Sequence, residues 1–129
     1  MTETFRKLNF KSQSPILILH APDAFSGEIS AMKGATEVHL TSKKNVKYPF
    51  AIAFVEMRAG MEKAGRELLA VLDDDPVCWF AYPKGTSKRY KSDLNRDSLR
   101  EALAHLGLRA VRQIAIDEDW SALRFRVGK

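Results

Sequence analysis

The sequence predicts an α/β domain: a doubly wound, mainly parallel sheet with helices on both faces and a C-terminal antiparallel β-hairpin. Three observations predict it. The apolar runs Pro15–His20, Phe50–Val55 and Val77–Tyr82 are continuous rather than alternating, as in strands covered on both faces. The stretches between them carry apolar residues at helical spacing. Near the end of the chain, the alternating segments 110–116 and 122–127 flank Asp117-Glu118-Asp119-Trp120-Ser121, the pattern of a β-hairpin with a short loop.

In chain order, Pro15–His20 is the first strand. Pro22-Asp23 opens a helix in which Phe25, Ile29 and Met32 share a face, and Gly34 stops it. Glu37–Thr41 alternates as a short second strand, and Ser42–Lys47 is a basic loop. After the 50–55 strand, Met57, Met61, Ala64, Leu68 and Leu72 form the apolar stripe of the clearest helix, with Glu62/Arg66 and Lys63/Glu67 spaced as i,i+4 pairs. Asp73-Asp74-Asp75 suits the negative end of a helix poorly and is assigned to the turn before the 77–82 strand. A last helix begins near Asn95, with Leu99, Ala102, Leu103 and Leu106 on one side and Gly107 as a left-handed cap. The order is β-α-β-β-α-β-α-β-β in a single domain spanning 1–129.

Composition sets the outer limits. The 129 residues are 45% hydrophobic and 29% charged, which is ordinary for a folded domain. Cys78 is the one cysteine, so neither an internal disulfide nor a multi-cysteine metal site is expected. Met1–Lys7 has no apolar run behind it, and no apolar stretch approaches the roughly 20 residues of a membrane span. The expected compartment is the cytoplasm, with no membrane partner. A net charge of +5 permits phosphate or nucleic-acid contacts without requiring them.

The element order resembles a shortened class I methyltransferase, a Rossmann-like arrangement in which ligands sit at the carboxyl ends of the strands. The resemblance is one of order and says little about function. A cofactor-binding turn of that kind wants glycine, but the turn here is His20-Ala21-Pro22-Asp23, and Thr41-Ser42 stands where a ribose-binding acid is expected. No cofactor is therefore expected, and no affinity for S-adenosylmethionine. His20 and Asp23 form either an acid–base pair or a backbone-bonded imidazole beside a helix cap. His39 and His105 lack partners at metal-ligand spacing, Cys78 lies in an apolar strand, and the acidic turn 117–119 is read as hairpin chemistry, so no metal is expected.

The segment Lys84–Asp97 carries Lys84, Ser87, Lys88, Arg89 and Lys91 ahead of Asn95 and Arg96 at a helix start. Cations, hydroxyls and a helix N-terminus make an anion site, or else a solvated surface loop. Arg124 and Arg126 share a face of the last strand; inside the sheet they need partners, for which Asp117 or Asp119 are candidates.

Three stretches, Ala81-Tyr82-Pro83-Lys84 with Ser87-Lys88, Asn95-Arg96-Asp97, and Ile116 to Phe125, resemble a family of small bacterial proteins designated as a domain of unknown function, number three-oh-five-two. The resemblance implies a stand-alone bacterial protein and carries over no activity, cofactor or catalytic residue. The residues then favour a non-enzymatic binding or regulatory module taking an anionic small molecule, phosphate group or partner at the basic loop. The alternative is a small enzyme of unrecognised chemistry on a phosphorylated substrate. Nucleic acid is the less favoured partner, since it needs the loop cations and Lys43, Lys44 and Lys47 on one face.

Overall fold

The computed structural model describes residues 2–127. Its elements are α1 (Glu3–Lys7), β1 (Ile16–Leu19), α2 (Ser26–Met32), β2 (Val38–His39), β3 (Tyr48–Phe54), α3 (Arg58–Leu69), β4 (Leu72–Pro83), α4 (Arg96–His105), β5 (Leu108–Ala115) and β6 (Trp120–Val127), with a 3₁₀ turn at Asp23–Phe25. They form one six-stranded sheet of order β2-β1-β3-β4-β6-β5. β2, β1, β3 and β4 run parallel. β6 returns antiparallel between β4 and β5. The expected parallel core and terminal hairpin are both present.

Every side chain of β1 is buried, which is why Ile16-Leu17-Ile18-Leu19 reads as an unbroken apolar run. One sheet face packs Leu17, Leu19, Ala51 and Phe80 against Met61, Ala64 and Leu68 of α3 and Leu99 and Leu103 of α4. The other packs Ile16, Ile18, Phe50 and Trp79 against Phe5, Phe25 and Met32. α3 and α4 meet closely at Gly65, where a Cβ would lie 2.3 Å from Leu106 Cδ1. Gly107 takes φ +77°, the left-handed cap expected of it.

Two elements differ from expectation. Helix α1 carries no periodicity long enough to announce itself, and an isolated helix below about 12 residues is marginal in water. It exists because Phe5 and Leu8 are fully buried, and burying such a side chain contributes about 1.5–3 kcal/mol. Phe5 sits 5.8 Å from Phe50 and 5.9 Å from Phe25, ring centre to ring centre, and closes that face of the sheet. The second difference is Asp73-Asp74-Asp75, which is no turn: α3 stops at Leu69, and the three carboxylates form the exposed first half of β4.

Trp79 ties the N-terminal segment to the middle of the sheet. It is fully buried, and its indole Nε1 donates to the Leu8 carbonyl at 2.8 Å. Trp79→Phe removes that donor, orphans a buried carbonyl and leaves a void. The substitution is expected to lower stability by about 2–4 kcal/mol, read from urea denaturation. A loss below about 0.5 kcal/mol would show that the N-terminal segment docks without this bond.

Candidate functional site

The sheet reverses its order between β1 and β3: β1 is followed by β2 on one side, whereas β3 and β4 extend to the other. The helices leave on opposite faces, so the carboxyl ends of β1 and β3 diverge and leave a crevice. Two adjoining hollows occupy it. One, of about 770 Å³, is lined by His20, Pro22, Asp23, Glu56, Arg89 and Tyr90. The other, of about 250 Å³, lies between His20, Glu56, Met57 and Lys63. His20 and Glu56 belong to both. The larger falls within the roughly 300–1,000 Å³ typical of small-molecule sites.

His20 ends β1 with φ +59°, a left-handed conformation that histidine adopts more readily than most residues. That conformation turns the chain away from the strand end. The imidazole does not pair with Asp23. Its Nε2 lies 3.4 Å from Glu67 Oε1 of α3, and Asp23 caps nothing, since Pro22 occupies the N-cap position without a side-chain bond. Both sequence-level alternatives for His20 and Asp23 are therefore revised. The two residues share the crevice as separate groups.

The basic loop is tied down on both sides. Lys84 N donates to the Asp119 carbonyl at 2.8 Å, and Ser87 Oγ donates to Asp119 Oδ1 at 2.7 Å. Ser87 Oγ also accepts from the backbone of Arg89 and Tyr90. Further on, Ser92 Oγ donates to the Glu56 carbonyl, and Asp93 Oδ1 accepts from Arg58 N at 2.7 Å. Asn95 and Ser98 cap α4 reciprocally, each at 2.9 Å. The Ser87 hydroxyl and the capped N–H of α4 that an anion would use are thus already bonded. Lys88, Arg89, Lys91 and Arg96 are exposed, Lys84 is half-buried, and of all these cations Arg89 lines the crevice. Lys43, Lys44 and Lys47 line a separate hollow with Ala70 and Val71.

Of the residues singled out from the sequence, the structure brings His20, Asp23 and Arg89 to one place. Lys84, Ser87, Lys88, Lys91, Asn95 and Arg96 lie outside that crevice lining. Sequence reasoning missed Glu56, Glu67 and Tyr90. Glu56 carried a usable signal, a carboxylate immediately after a fully buried strand; Glu67 and Tyr90 carried none. Asp117 and Asp119 do not serve Arg124 or Arg126: Asp117 Oδ1 accepts from Asp119 N and Trp120 N, closing the hairpin turn.

No protein-family model matches the chain, and no curated protein matches it in sequence. Solved structures do share its fold. Ribosomal protein L11 methylase from Lactobacillus delbrueckii subsp. bulgaricus aligns over 98% of this chain and 77% of its own, at 12% identity and TM-score 0.60. N-methyltransferase NodS from Bradyrhizobium japonicum aligns over 98% and 93%, at 14% and 0.64. An S-adenosylmethionine-dependent methyltransferase from Clostridium acetobutylicum aligns over 98% and 89%, at 8% and 0.57. The fold is methyltransferase-like. Identities this low establish the fold alone.

The functional expectation is corrected accordingly. The three solved structures named above are methyltransferases rather than binding or regulatory modules, and the loop meant to hold an anion or phosphorylated substrate spends its Ser87 hydroxyl and helix-cap groups on its own folding.

Cys78 needs no functional role. It is buried within β4, and desolvation pushes its thiol far above the ordinary value of 9.0, Arg124 pulling weakly the other way. A raised thiol value means that the folded state keeps the proton while the unfolded chain loses it. Its contribution to stability is full below about pH 9 and declines as the pH rises beyond that. A thiol-specific disulfide reagent is expected to leave the native protein unmodified at neutral pH and to label it only on unfolding. Rapid native labelling would contradict the burial.

Proposed function

We propose that the chain is a methyltransferase that takes S-adenosylmethionine in the crevice between β1 and β3. The observation that carries the reading is the crevice itself: a hollow of about 770 Å³ at the switch point of a sheet ordered as in methyltransferases, lined by Asp23, Glu56 and Arg89, groups of both charges.

The residues fit such a cofactor by chemistry, though not by the usual sequence pattern. Asp23 and Glu56 have no ion-pair partner among the described residues, and carboxylates accept from ribose hydroxyls or an amino group. Arg89 is the cation suited to a carboxylate, and Tyr90 supplies a flat ring at the same wall. No glycine stands in the turn after β1, where His20 takes the left-handed backbone conformation. The missing acid after β2 is answered from a different strand, by Glu56. When bound, the cofactor supplies an electrophilic methyl group on a sulfonium. The chain's own contribution is to orient an acceptor and move its proton. His20 is the residue placed to do so, its Nε2 lying 3.4 Å from Glu67 Oε1.

The test is calorimetric titration with S-adenosylhomocysteine, the product form. Micromolar binding by the wild type is expected, weakened about tenfold or more by Glu56→Gln and by Arg89→Ala, each of which loses a charge-assisted hydrogen bond of about 1.5–3 kcal/mol. His20→Ala is expected to retain binding and lose methyl transfer. Absence of binding by the wild type, or equal binding by all variants, would remove the reading.

A further inference from the structure

The β5–β6 hairpin presents four arginines on one side. Arg124 pairs with Trp79 across β4 and β6, so it points to the face that α1 covers; Arg126, two residues on, points the same way. On β5, Arg112 lies directly opposite Arg124, and Arg109 directly opposite Arg126. Residues directly opposite in an antiparallel pair share a face. Residues 109 and 112 are three apart and would point to opposite faces of a regular strand. A register shift between Ala110 and Arg112 re-phases β5 and brings both to the same side.

Like charges placed directly opposite each other destabilise a sheet, and here it happens twice in succession. None of the four guanidinium groups lies within 4.0 Å of a carboxylate among the described residues. Asp74 and Asp75 line the hollow that Arg109 and Arg126 border, but form no pair with them. Arg124 reaches only Asn9 Oδ1, at 3.4 Å, and its Nε is buried without a partner. Burial, then Arg126 and to a lesser degree Arg112, lowers its pKa from the ordinary value, while Cys78 and then Asp75 act the other way. Lys7 extends the cationic side, its Nζ donating to the Ala115 carbonyl at the end of β5.

We propose that this four-arginine face binds the phosphate backbone of a nucleic-acid duplex. The guanidinium fork matches phosphate oxygens, and the arginines recur along the strands at about 7 Å, two residues of extended chain, as a linear polyanion requires. No aromatic side chain stands among the four arginines, so the contact reads backbone and not base sequence. The surface is separate from the β1–β3 crevice and does not depend on what that crevice holds.

The probe is a fluorescent mixed-sequence DNA duplex followed by anisotropy. With four contacts, raising salt from about 50 mM to about 200 mM weakens binding by roughly 10²-fold; with two, by roughly tenfold. Arg109→Gln with Arg112→Gln, both exposed positions, is expected to lose affinity by about tenfold or more at the lower salt and to show the shallower dependence. Lys43→Gln with Lys44→Gln, an equal charge loss in the β2–β3 connection, is expected to lose less than about threefold, and a scrambled duplex to bind equally. The proposal is overturned by absent binding at the lower salt, by equal losses in the two variants, or by polyglutamate displacing the duplex at equal charge, which would assign the face to an acidic protein.

Discussion

The parallel strands β1, β3 and β4 have to be covered on both faces, and most of the architecture answers to that requirement. Ile16 to Leu19 and Phe50 to Phe54 are buried throughout, so no face of the sheet centre can be left to water. On one side the cover is regular: α3 and α4 pack stripes of Met, Ala and Leu, brought together at Gly65. On the other side α2 is too short to suffice. The chain covers the remainder with its N-terminus, through Phe5, Leu8 and Phe10, and locks the arrangement with the Trp79–Leu8 hydrogen bond.

The return of β6 between β4 and β5 has consequences at both ends of the strand. At its start, Trp120 meets Pro83, so the acidic hairpin turn reaches the loop after β4 and Asp119 fastens Ser87. A loop rich in lysine and serine is thereby folded into the protein. At its far end, β6 carries its arginines into a sheet interior position, with β5 as the outer strand. One strand insertion thus ties down the basic segment that looked like an anion site and brings arginines of two strands opposite each other elsewhere.

The candidate site was partly legible. His20, Asp23 and Arg89 could be picked out because strand ends and basic loops are recognisable by composition, and all three line the crevice. Their partners could not. Glu67 reaches His20 from the middle of a helix, and Tyr90 comes from a loop whose course is set by contacts to Glu56, Arg58 and Asp119. The backbone at the end of β1 was not legible either: His20 takes a positive φ, which no residue type in the run announces.

What the sequence by itself determined is the set of elements and their burial. Continuous apolar runs have to be strands covered twice, stripes at helical spacing have to face a core, and alternation around an acidic turn has to be a hairpin; these are local periodicities, fixed by where successive side chains point. What only the tertiary structure decided is everything that depends on proximity between distant segments. α1 is stable because it meets a sheet that follows it in the chain. Asp73–Asp75 lies in β4 between the two places where that strand meets β3, Leu72 beside Tyr48 and Val77 beside Phe50. The four arginines share a face because a bulge shifts the phase of β5, an event of cross-strand pairing that no spacing within one strand records.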